Sequence, residues 1–109
     1  MLGEFEYLIL TAATRLGDEA YGAAMRQAIE AATGRPCSSG ALYTTLDRLE
    51  TKGLIKTGMG EATPQRGGRR KRMVRVTGKG VQAASDFHEA VKRVSRGVSW
   101  EANRAAVRS

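Results

Sequence analysis

The stretch from Ser38 to Ile55 leaves a folding chain few options. Leu42, Leu46 and Leu49 recur at spacings of four and three, which places them on one face of a helix. Ser38 or Ser39 can cap its start, because a serine oxygen accepts from amides that have no partner inside the helix. Gly53 stands where glycine often ends a helix in the left-handed conformation. The same periodicity puts Ala41, Thr44, Thr45, Arg48 and Lys52 on a second face. Small hydroxyls with cations toward the end suit close approach to base edges and phosphates better than simple solvation, for which Glu/Lys pairs are the commoner choice.

The residues after this helix narrow the fold further. Residues 54–57 and 73–77 have the apolar, β-branched character of short strands, and the segment between them is rich in glycine and arginine. Helix, strand, basic loop, strand is the order of a winged helix-turn-helix. Upstream, Phe5, Leu8, Ile9, Ala12, Ala13 and Leu16 define a first helix over residues 3–16. Tyr21, Ala24, Met25, Ala28, Ile29 and Ala32 define a second over 20–33, stopped by Gly34-Arg35-Pro36. The expected fold is mainly α with a small β-hairpin: a DNA-binding domain over residues 1–77, then a dimerisation helix and tail over 78–109.

Charge agrees with that division. The chain's 109 residues carry a formal net charge of +7. Residues 1–50 hold four cations against seven anions, whereas residues 51–80 hold nine against one. A local excess marks a docking surface for a polyanion. Arg66, Arg69, Arg70, Lys71, Arg72 and Arg75 crowd into ten residues of the predicted wing. Arg66, Arg69, Arg70, Lys71 and Arg72 join Ser38, Ser39, Ala41, Tyr43, Thr44, Thr45 and Arg48 as candidate contacts to double-stranded DNA. Tyr43 sits at the edge of the buried stripe, so its ring suits the core and its hydroxyl either reaches a phosphate or does not.

After Thr77, the positions Ala84, Phe87, Val91, Val94 and Val98 have a three-four-three-four spacing, a heptad seam. One short helix cannot bury such a seam alone. It packs on the first helix, on a twin from a second subunit, or on both, with Phe5 included among the expected pairing residues.

Other chemistry is sparse. Cys37 is the only cysteine, which rules out an internal disulfide and fits a reducing compartment. Next to a helix start its thiol pKa is expected to be lowered, although packing is the commoner role of a lone cysteine. His88 has no second histidine or cysteine at ligand spacing, so no metal is expected. No cofactor motif and no nucleophile, acid or base constellation is present, so no enzyme is expected. The apolar run from Tyr7 to Ala13 is too short to span a bilayer and lacks a basic leader; with no lipidation signal, the expectation is a cytoplasmic protein without a membrane partner.

Gly40-Ala41-Leu42-Tyr43 entering the third helix, Arg48-Leu49-Glu50-Thr51-Lys52-Gly53-Leu54-Ile55 leaving it, and a basic wing closing on Thr77-Gly78-Lys79-Gly80 together resemble the signature of PadR-type transcriptional regulators. The resemblance covers roughly residues 3–96. It implies a winged-helix homodimer on palindromic operator DNA, usually a repressor, paired through its C-terminal helix. Met73 stands where many members have tyrosine, and Thr44 and Thr45 stand where many have a proline. These departures bear on which operator is read. The resemblance to short members further implies that Trp100 is the candidate counterpart of a tryptophan that stacks on flat aromatic ligands at the dimer interface, so a small-molecule effector joins DNA and a twin subunit among the expected partners. The competing reading is an architectural or protein-interaction module that does not choose sequence.

Overall fold

The computed structural model describes residues 1–60 and 71–107. Among these residues five α-helices and one hairpin occur in order: α1 (Glu4–Leu16), α2 (Gly22–Thr33), α3 (Ser39–Thr51), β1 (Ile55–Met59), β2 (Arg72–Val76), α4 (Gly78–Val94) and α5 (Trp100–Ala106). A single 3₁₀ turn, Gly17–Glu19, links α1 to α2.

The apolar faces predicted from periodicity converge on one core. Ile9, Leu10, Met25, Leu42, Leu46, Leu49 and Ile55 are sealed from solvent, with Ala12, Ala13, Ala20, Ile29, Leu54 and Val74 around them. Ala32, expected inward, is exposed on the last turn of α2. Glu6 runs the other way. It is buried, accepts from the Gly3 amide at 2.9 Å and pairs with Lys52 Nζ at 2.8 Å, so α1 and the end of α3 are tied by an ion pair.

The two strands pair antiparallel with Ile55 opposite Val76 and Met59 opposite Arg72. Val74 and Val76 share a face, Val74 buried and Arg75 exposed, as alternation along a strand requires. Tyr21 bridges to Met73, and the Val74 amide donates to the Ala20 carbonyl at 2.8 Å, so the connection into α2 serves as a third edge of the sheet.

Ends of helices are fixed by the chemistry read from the sequence. Ser38, not Ser39, caps α3: its Oγ accepts from the Ala41 amide at 3.1 Å. Gly53 has φ of 77°, and the Leu54 amide returns to the Leu49 carbonyl, a Schellman-type closure. Thr77 caps α4 by accepting from the Gly80 amide, while its hydroxyl donates to the Gly53 carbonyl at 2.7 Å and its own amide donates to the Leu54 carbonyl. Gly80 sits so close to that Leu54 carbonyl that a Cβ there would collide with it. The starts of α4 and β1 are thus fused into one knot.

The seam divides. Ala84 packs against the core, and the Phe87 ring lies 4.8 Å from the Tyr7 ring on α1. Val91 and Val94 are exposed, Val94 to 81%. The heptad spacing runs on to Val98, but α4 ends at Val94, Ser95 takes its last carbonyls, and Gly97, whose type suits a bend or a stop, turns the chain with φ of 80°. Val98 lies in the connection to α5, exposed but off the helix.

Candidate nucleic-acid interface

The buried stripe of α3 decides which residues the helix presents. Turning about 100° per residue, the row diametrically opposite Leu42, Thr45, Leu46 and Leu49 is Gly40, Thr44, Asp47 and Thr51, and all four are exposed. Ala41, Arg48 and Lys52 form the flank toward α1. Tyr43 and Glu50 form the flank toward the hairpin.

Thr45 is a correction. Expected on the outward face, it is only 6% exposed. Its hydroxyl donates to the Ala41 carbonyl one turn back at 2.9 Å, which satisfies the polar group and lets the methyl join the core. The buried stripe is therefore wider than the leucines alone define, and the presented row is rotated toward Asp47. Thr44, Ala41 and Arg48 are exposed as expected, and Ser38 and Ser39 lie exposed at the helix start.

Tyr43 stands at the rim, 39% exposed, with its hydroxyl turned against Gly22 at the start of α2; a Cβ at Gly22 would strike that oxygen. The glycine is what lets the ring lie between α2 and α3.

The hairpin side of the site is electrostatically knitted. Arg72 Nη2 lies 3.0 Å from Asp47 Oδ1 and 3.4 Å from Glu50 Oε1, and its guanidinium sits 5.9 Å from the Tyr43 ring centre. Glu50 also accepts from both the amide and the hydroxyl of Thr57 on β1, at 3.1 and 2.8 Å. Those two Thr57 donors, with Arg72 beyond them, hold the Glu50 carboxyl below its usual range. Arg72, expected to grip phosphates, is engaged here by two carboxylates of α3. Lys71 Nζ lies 3.9 Å from the Tyr21 ring centre, a cation resting on an aromatic face. Arg66, Arg69 and Arg70 lie outside the described residues.

Asp47, Glu50 and Thr57 escape a reading of the sequence alone. Tyr43, Asp47 and Glu50 stand at i, i+4 and i+7, a helix row whose partner arginine lies beyond the loop.

The remaining candidates resolve differently. Cys37 is buried, its amide donating to Glu30 Oε2 and its carbonyl accepting from Arg26 Nε. Burial pushes its thiol up; Arg26 opposes this, Glu30 adds to it, and the net is a raised pKa, contrary to the lowering expected beside a helix start. His88 Nδ1 shares a hydrogen bond with the Tyr7 hydroxyl at 3.0 Å, and among the described residues no three potential ligands gather to hold a metal. Phe5 packs half-buried against the core. Trp100 opens α5, 75% exposed, beside Glu101, Asn103, Arg104 and Val107. Among the described residues no helix is long and apolar enough to cross a membrane.

Three helices with α3 outward, succeeded by a hairpin braced against α3, define a winged helix-turn-helix. The profile of the PadR-like transcriptional regulators matches residues 9–86, and the chain belongs to that family. Solved structures agree. A PadR-like transcription factor from Bacteroides fragilis is 26% identical, with 86% of this chain and 85% of that one covered and a TM-score of 0.69. RosR of H. salinarum, in the complex named hsRosR-S4, is 27% identical over 96% of this chain and 84% of that one, at a TM-score of 0.64. A PadR-like regulator from Bacillus cereus, 21% identical over 96% of this chain and 93% of that one, shares the fold at a TM-score of 0.71. Comparison with curated proteins gives no match.

Proposed function

We propose that this regulator is a sequence-specific DNA-binding repressor that acts as a homodimer on a palindromic operator. Residues 1–77 read DNA and residues 78–109 pair the subunits. The observation that carries the reading is the joint placement of α3 and the hairpin: Thr44 and its row face outward, and the base of the basic wing is anchored to the same helix through Arg72. In this reading Thr44 with Ala41 and Arg48 meets the major groove, and Arg66, Arg69 and Arg70 grip the flanking backbone.

Pairing is supported by Val91 and Val94 on α4, with Val98 in the connection that follows, apolar side chains that the described residues leave exposed. Trp100 is large, apolar and exposed at the start of α5, which suits it to cover a flat aromatic effector between subunits. Quenching of this single tryptophan across a panel of planar aromatic compounds tests that part; unchanged emission retires it.

Selection of bound sequences from random duplex DNA tests the whole. The expected result is an inverted repeat with half-sites about 10 base pairs apart or a multiple of that. Binding that shows no preference at fixed salt favours the architectural alternative instead.

A further inference from the structure

Asp47 occupies the middle of the row that α3 presents, between Thr44 and Thr51. A carboxylate there is out of place on a surface meant for a polyanion, unless its charge is carried by a neighbour and its oxygens have donors to meet. The neighbour is Arg72, whose Nη2 reaches across from β2 to Oδ1 at 3.0 Å. Arg72 is itself steadied from the other side by Glu50, which Thr57 holds with two hydrogen bonds. Bracing of the hairpin on α3 is thus already supplied by Glu50, and Asp47 adds one bond from the solvent side. Its second oxygen, Oδ2, accepts no hydrogen bond from the described residues, and the side chain is 69% exposed.

We propose that Asp47 is a specificity-determining residue and Arg72 its positioning residue. Oδ2 accepts from an exocyclic amino group on the floor of the major groove, the donor that cytosine presents through N4 and adenine through N6. Arg72, shared with Glu50, offsets part of the carboxylate's charge and fixes its rotamer, so that it enters the groove with less repulsion. The inference rests on the DNA-reading function proposed above. It gives Arg72 a role that no phosphate contact would produce.

The test is selection from random duplex DNA with the full chain as wild type, Asp47→Ala, Asp47→Asn, Arg72→Ala and Arg72→Lys. Asp47→Ala should relax one position in each half-site, one that the wild type fills with cytosine or adenine, by about tenfold. Which of the two bases stands there identifies the donor. If it is cytosine, Asp47→Asn should move the preference toward adenine, whose N6 and N7 an amide side chain can pair with. Arg72→Ala should relax that same position while leaving the salt dependence of binding unchanged, and Arg72→Lys should restore part of the preference. Thermal unfolding without DNA checks that each variant folds; Asp47→Asn, exposed and nearly isosteric, decides the test if the base is cytosine, and Asp47→Ala, equally exposed, decides it if the base is adenine. A selected motif that no Asp47 variant alters overturns the inference alone. Arg72→Ala that weakens all sequences alike and lowers the salt slope by about one unit makes Arg72 a phosphate contact and also overturns it. A wild type that selects no motif overturns the DNA-reading function, and this inference with it.

Discussion

Lys52 Nζ and Glu6 Oε2 lie 2.8 Å apart, joining the C-cap of α3 to the first turn of α1 with the carboxylate buried and the ammonium half in solvent. Burial alone would raise the Glu6 pKa; the Gly3 amide and Lys52 outweigh it, and the net shift is downward. A carboxyl whose pKa is depressed by folding contributes stability that is complete above its unfolded pKa and is lost as pH falls through the folded one. Glu6→Gln should cost about 1 kcal/mol at neutral pH, since one partner is half exposed. Urea unfolding of wild type and variant should converge on acidification through the carboxylate range; parallel pH profiles would contradict the account.

Gly80→Ala should destabilise the fold, because the new methyl meets the Leu54 carbonyl oxygen and Val76 Cγ1, and the former is backbone that cannot step aside. A cost of about 1–3 kcal/mol is expected from overpacking. Gly78→Ala, two residues earlier on the same helix, meets nothing within 4 Å and should be neutral or stabilising. Melting temperatures of the pair separate a packing effect from helix propensity.

Ser38→Ala removes the oxygen that accepts from the Ala41 amide and should cost about 1 kcal/mol of stability, read by urea titration. Ser39→Ala, which loses no cap, should cost less.

Thr45→Val should keep both stability, to within about 1 kcal/mol, and the choice of DNA sequence. The hydroxyl it loses is turned inward to the Ala41 carbonyl, which remains an acceptor for the helix's own amides. Thr44→Ala, on the exposed row, should change base preference. Competition binding with variant duplexes distinguishes the two.

Val94→Asp should leave the folded subunit's stability within about 0.5 kcal/mol, because the side chain is already in solvent. It should nevertheless convert a dimer to a monomer, as read by sedimentation. A wild type that already sediments as a monomer would remove the pairing part of the proposal.

Most of the architecture is legible in the sequence because local rules and tertiary packing agree here. Leu42, Leu46 and Leu49 announce a buried stripe, and Gly53 ends the helix in the left-handed conformation that its position suggests. The site is harder to read, and Thr45 shows why. A threonine can satisfy its hydroxyl inside its own helix, so a polar letter does not mean an outward direction, and periodicity alone sets the presented row too far toward Arg48. Arg72 shows the second reason. A cation's local sequence does not reveal which anion it meets, and Asp47 and Glu50 become its partners only when the hairpin folds back on α3. Val98 shows a third: heptad spacing continues in the letters after the helix itself has ended at Val94.

Thr77 binds both Gly53 and Leu54, so the segment that ends α3 and the residue that launches α4 share their hydrogen bonds. The two helices are joined there by hydrogen bonds and not by the intervening chain alone. On the proposed reading, a shift of α4 brought about by a twin subunit would meet the end of α3 at this shared set of bonds.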